Sequence, residues 1–98
     1  MSRRFPSGSA AMLTTSGSVA GTDGAEVYAF GLAAGPASCA LATLIDSKDG
    51  NSGSNRWTLT TSACNSANAH FGFGIWCASG VYVYLVGTAA CASVAWRK

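Results

Sequence analysis

His70 is the one side chain whose ordinary pKa lies near neutrality, so acid–base chemistry at neutral pH would have to start there. Serines are abundant enough to complete a Ser-His-Asp set on paper, but no GxSxG elbow is present to aim one of them. The four acids, Asp23, Glu26, Asp46 and Asp49, are scattered over turn-like segments, and no paired-carboxylate arrangement can be built from them. Gly72, Gly74 and Gly80 match no phosphate-binding loop, because both GxxxxGK[ST] and a strand-to-helix context are missing. The polar run from Asp46 to Asn55 has the composition of a calcium loop without its alternating acids or closing Glu. No catalytic residue, metal site or cofactor is expected.

Cys39, Cys64, Cys77 and Cys91 contain no CxxC pair, and with a single His they lack the spacing of a zinc site. Two disulfides are one arrangement, and a Cys39–Cys91 bridge would stabilise by about 4 kcal/mol in the loop-entropy view. The opening stretch lacks the apolar segment of a signal peptide, so export by that route is not expected and the chain would meet a reducing cytosol. Buried free thiols acting as small hydrophobes are the preferred reading.

Aromatic residues remain as candidates for recognition. Trp57, Trp76 and Trp96 with Tyr28, Tyr82 and Tyr84 could stack on sugars or bases, yet the same types favour strands and protein interfaces, and Trp57, Trp76, Tyr82, Tyr84 and Trp96 are read as oligomer interface or core. Only 10% of the 98 residues are charged while 49% are apolar, so little ionic surface has to be dehydrated when partners meet. A net charge of +2 is too small for a strong phosphate-binding field, and direct nucleic-acid binding is not expected. No apolar run approaches the roughly 20 residues of a membrane-spanning helix. Arg3 and Arg4, with Phe5 beside them, mark a basic arm suited to contacting a partner.

The elements that would carry these side chains are short strands. Residues 1–25 read as an extended arm with a possible edge strand at Met12–Thr15, and residues 26–98 as the folded domain. In Glu26–Leu32 the alternation puts Tyr28, Phe30 and Leu32 on the inward face. Ser38–Asp46, Arg56–Thr61 and Ala69–Cys77 follow as strands, the last with Phe71, Phe73, Ile75 and Cys77 in phase. Gly72 and Gly74 on its other face invite close backbone approach or a bulge. Gly80–Trp96 reads as a C-terminal β-hairpin broken at Gly87-Thr88 and apolar on both faces. Six to eight such strands with turn signals between them predict an all-β fold, an antiparallel sandwich or barrel, with the small sandwich preferred.

The chain also resembles small virion structural proteins of tailed bacteriophages. The likeness is carried by the opening SRRF and GSAAMLT, the middle VYAFGLAAG and ATLIDS, and above all the closing GVYVYLVGTAACASVAW. It does not require cysteine at positions 39, 64, 77 and 91. It implies a jelly-roll-like sandwich, no enzyme activity, and a place on the virion after synthesis in the host cytoplasm. Two placements follow. One is a capsid decoration or cement protein, a homotrimer on the head surface, with Arg3, Arg4 and Phe5 touching the major capsid protein. The other is a tail or fibre component that binds glycans. A small secreted, disulfide-bonded toxin or lectin is the alternative of another class.

Overall fold

Wherever apolar residues alternate between Gly- and Ser-rich breaks, the backbone runs extended. The computed structural model describes residues 9–20, 24–48, 50 and 53–97, and these hold eight strands and no helix. In chain order they are β1 (Ser9–Leu13), β2 (Gly17–Ala20), β3 (Ala25–Ala33), β4 (Ala40–Asp46), β5 (Ser54–Thr61), β6 (Ser66–Cys77), β7 (Val81–Val86) and β8 (Cys91–Arg97). They form two antiparallel four-stranded sheets, ordered β1-β8-β3-β6 and β2-β7-β4-β5. Of the sandwich and the barrel that the alternation allows, the two sheets form the sandwich, and their strand order is that of a jelly roll, as the resemblance implies.

The inner faces make the core. Val27, Phe30 and Leu32 of β3 and Ala92, Val94 and Trp96 of β8 meet Ala42 and Leu44 of β4 and Val81 and Val83 of β7. Phe30 and Leu44 are the largest side chains fully enclosed there, and most of their neighbours are Val or Ala. Ser16 secures the first crossing between sheets: its hydroxyl accepts from the Leu85 amide at 2.8 Å and donates to the Leu85 carbonyl at 3.3 Å. It thereby satisfies both backbone groups of a β7 residue just where β2 begins.

Three expectations are corrected. The C-terminal stretch is not a hairpin, because β7 pairs with β2 and β4 while β8 pairs with β1 and β3. Residues 87–90 carry the chain from one sheet to the other, and β4 and β5 are the only consecutive described strands that pair. The alternation in β3 also changes phase. Phe30 and Leu32 point inward as expected, but Tyr28 is exposed and Val27 is buried, because the register slips between Val27 and Ala29 and inserts Tyr28 as an extra residue. Finally, the expected arm contributes more than an edge strand. Residues 9–20 supply β1 to one sheet and β2 to the other, so the sandwich begins well before residue 26. Arg3, Arg4 and Phe5 lie outside the described residues.

Candidate functional site

The sequence-predicted aromatic residues do not converge. Trp96 is in the core at 9% exposure. Trp57 lies on the inner side of β5 opposite Leu44, and its ring meets Phe71 edge-on at 5.1 Å between centroids, where the β5 and β6 edges adjoin. Tyr82 and Tyr84 face outward from β7, beside Ile45 and Thr43 of β4, with Tyr84 at 40% exposure. Trp76 stands on the outer face of the other sheet, 54% exposed.

That second face carries a groove. Its rows can be read across the strands from the register. Trp76, Glu26 and Arg97 form one row across β6, β3 and β8. Arg97 Nε donates to Glu26 Oε1 at 2.8 Å, so the two charges neutralise each other. Further along come His70, Ala29, Ala95 and Ala10, then Asn68, Gly31, Ser93 and Met12. These two rows enclose a groove of about 440 Å³. Alanine, glycine and serine make its floor, Met12 one wall, and Asn68 and His70 the other. A methyl at Gly31 would come within 2.7 Å of Ser93 Oγ and 2.9 Å of Asn68 Oδ1, so those two polar side chains converge over a bare backbone.

Between the ion-pair row and the groove, β6 bulges. Val27 pairs with Ile75 and Ala29 with His70, which leaves Phe71–Gly74 of β6 opposite Tyr28 alone. The glycine pattern foreshadows this. Gly74 adopts φ +79°, and any side chain there would run into Glu26, so only glycine fits. The bulge sends the four residues different ways. Phe71 packs against the core, whereas Phe73, expected to share its face, is 99% exposed.

No protein-family model matches the chain, and no curated protein matches it. The site's chemistry therefore stands on its geometry alone.

Two of the carboxylates, Asp46 and Glu26, serve the fold. His70 is exposed and has no bonded carboxylate or hydroxyl among the described residues. Asp46 Oδ1 accepts from the Ser79 amide at 2.8 Å, tying the end of β4 to the β6–β7 turn. Glu26 is committed to Arg97. Asp23 and Asp49 lie outside the described residues. Among the described residues, no cluster of three His, Cys, Asp or Glu is placed to hold a metal ion.

The four cysteines are free thiols, and only Cys77 is buried, which corrects the expectation that all would be. Burial pushes the Cys77 thiol up to about 11, with the nearby Asp46 carboxylate adding to the effect and Arg56 opposing it. An alkylating reagent at neutral pH is expected to label Cys39 and Cys64 first and the half-buried Cys91 more slowly. Cys77 should react only after denaturant is added. Mass spectrometry of the folded protein would show the fourth adduct missing. The sign for stability follows from the same shift: the buried thiol favours the folded state below about pH 9, and that contribution is lost as pH rises towards 11.

Proposed function

We propose that this protein is a non-enzymatic virion structural component of a tailed bacteriophage, binding the assembled head shell as a decoration or cement protein. The observation that carries the reading is the outer face of the β1-β8-β3-β6 sheet. It presents exposed Trp76 and Met12, its bulge at β6 and β3 adds the exposed Phe73 and Tyr28, and its Glu26 and Arg97 charges are paired off. Aromatic enrichment with depleted net charge is the composition of protein contact surfaces. A jelly roll of eight strands also serves as a building block of viral shells. Its work would be thermodynamic: a protein that binds only the assembled lattice stabilises it by mass action, and a modest energy per copy is multiplied over many equivalent sites.

The major capsid protein is the proposed partner, with the protein acting as a homo-oligomer, a trimer on the head surface. Counting copies in purified particles by quantitative mass spectrometry tests the placement. Hundreds per particle are expected, and absence from the particle would overturn the reading. A handful per particle would favour the tail or fibre position, for which the half-exposed Trp76 plate is a suitable sugar-stacking surface. The secreted, disulfide-bonded toxin or lectin is the alternative of another class, and mass measurement before and after alkylation tests it by counting free thiols.

Residues 1–8 precede β1, so deleting them removes no described strand. The truncated protein is expected to keep its melting temperature while its occupancy on particles falls. Occupancy equal to that of the full chain would remove Arg3, Arg4 and Phe5 from the contact.

A further inference from the structure

We propose that Phe73 is a knob that enters the groove between Met12 and His70 on a second copy of this chain. The inference rests on the homo-oligomer of the reading above, but gives this face to a second copy, puts a two-fold pair in place of the trimer, and leaves contact with the head shell to residues 1–8. Three observations lead to it.

First, Phe73 touches almost nothing of its own chain. At 99% exposure it is presented by a bulge that Gly74 makes possible, with exposed Trp76 three residues along the same strand and exposed Tyr28 opposite the bulge, so it is part of an apolar cluster and not an isolated surface residue. Second, the groove of about 440 Å³ is roomy enough for a phenyl ring, and its floor of Ala29, Gly31 and Ala95 puts no bulky side chain in the way. Third, knob and groove share a sheet. Phe73 belongs to β6, and the same strand contributes Asn68 and His70 to the groove wall. A two-fold axis between them seats each Phe73 in the other copy's groove, an isologous contact in which both halves of the fit are supplied by one sequence.

The available area is sufficient. At their observed exposures of 99%, 54%, 38% and 73%, Phe73, Trp76, Tyr28 and Met12 together offer roughly 500 Å² per copy, or roughly 1,000 Å² for a pair. That reaches the threshold for a specific interface before the groove floor is counted. Charge does not oppose the approach, because Glu26 and Arg97 on this face are already bonded to each other.

Sedimentation of the purified full chain, with no particle present, tests the contact. The wild type is expected to associate at tens of micromolar, and Phe73→Ser to weaken association about ten-fold or more, as for a central aromatic anchor. Ser93 is exposed on the groove floor, so Ser93→Lys fills the groove from the other side with a similar loss. Circular dichroism and unchanged melting temperatures would establish that both variants fold. Mixing the two is the decisive arm. Phe73→Ser retains an intact groove and Ser93→Lys an intact knob, so a mixed pair regains one complete contact and associates more tightly than either variant alone. A trimer sensitive to both substitutions would keep the contact and replace the two-fold pair with a head-to-tail ring. A wild type that stays monomeric at about 100 µM would overturn the proposal. So would a Phe73→Ser variant that associates like the wild type, or association lost on deleting residues 1–8 but indifferent to Phe73.

Discussion

Phe30→Ala is expected to destabilise the protein by about 3–5 kcal/mol, a large share of the 5–15 kcal/mol that holds a typical domain together. Phe30 sits at the middle of β3, between Ala69 on β6 and Val94 on β8, with its ring directed into the core and 2% exposed. Its neighbours explain why the loss should fall at the upper end. Much of the core is alanine, at positions 25, 40, 42, 90 and 92, and these residues have no side-chain length with which to lean into the vacated space. The cavity would stay open, adding its own cost to the lost transfer free energy. A thermal melt should show a drop on the order of 20 °C. Phe30→Leu, which leaves most of the volume filled, should lose far less. Equal losses for the two variants would mean that the ring's volume is not what stabilises this layer.

The second large effect is expected at Gly35, where three loops meet. Ala34 N donates to the Asn65 carbonyl at 2.9 Å, and Cys64 N donates to the Gly35 carbonyl at 3.0 Å, binding the β3–β4 and β5–β6 connections together. The β7–β8 connection presses on the same residue. A methyl at Gly35 would lie 2.6 Å from the Thr88 carbonyl oxygen and 2.8 Å from Ala89 Cβ. The obstacle is mostly backbone, and it has little freedom to yield, because Cys64 and Ala89 already hold left-handed conformations at φ 65° and 56°. Gly35→Val should therefore cost about 3 kcal/mol, the upper part of the range for overpacking. A lower urea midpoint at unchanged slope would report it. Ala89→Gly in the Gly35→Val background should recover part of the loss, since it removes one clashing atom and relieves the left-handed strain.

Much of the fold was legible because a strand advertises itself through a period of two. Ala42 and Leu44 against Thr43 and Ile45, or Val81 and Val83 against Tyr82 and Tyr84, declare two faces with no help from the rest of the chain. Partnership between strands has no such local mark. The segment around Gly87-Thr88 looks the same whether it folds β8 back on β7 or sends it across the sandwich. What decides is which sheet has an open place for β8 between β1 and β3. Bulges defeat the period itself. One extra residue at Tyr28 reverses the face of everything before it, so alternation alone puts Tyr28 inward and Val27 outward. The candidate site was legible only in part. The aromatic side chains were identified, and Gly72 and Gly74 signalled irregularity in β6. Phe73 was assigned to the face of Phe71, because the length of a bulge is set by the neighbouring strand, here β3, and not by the segment that forms it.

One pairing sets the order in which the molecule can be completed. Among the described strands β1 bonds only to β8, with Ser9 opposite Trp96, so the earliest of the eight in the chain waits for the latest. Contacts this distant along the chain close slowly, on the millisecond-to-second scale of all-β domains. Until they close, β1 and β3 both lack the neighbour that β8 provides, and nascent chains crowded on one messenger would expose matching unpaired backbones to one another. With only 10% of its residues charged, the chain has little repulsion to keep such copies apart, which makes that interval the hazardous stage of its synthesis.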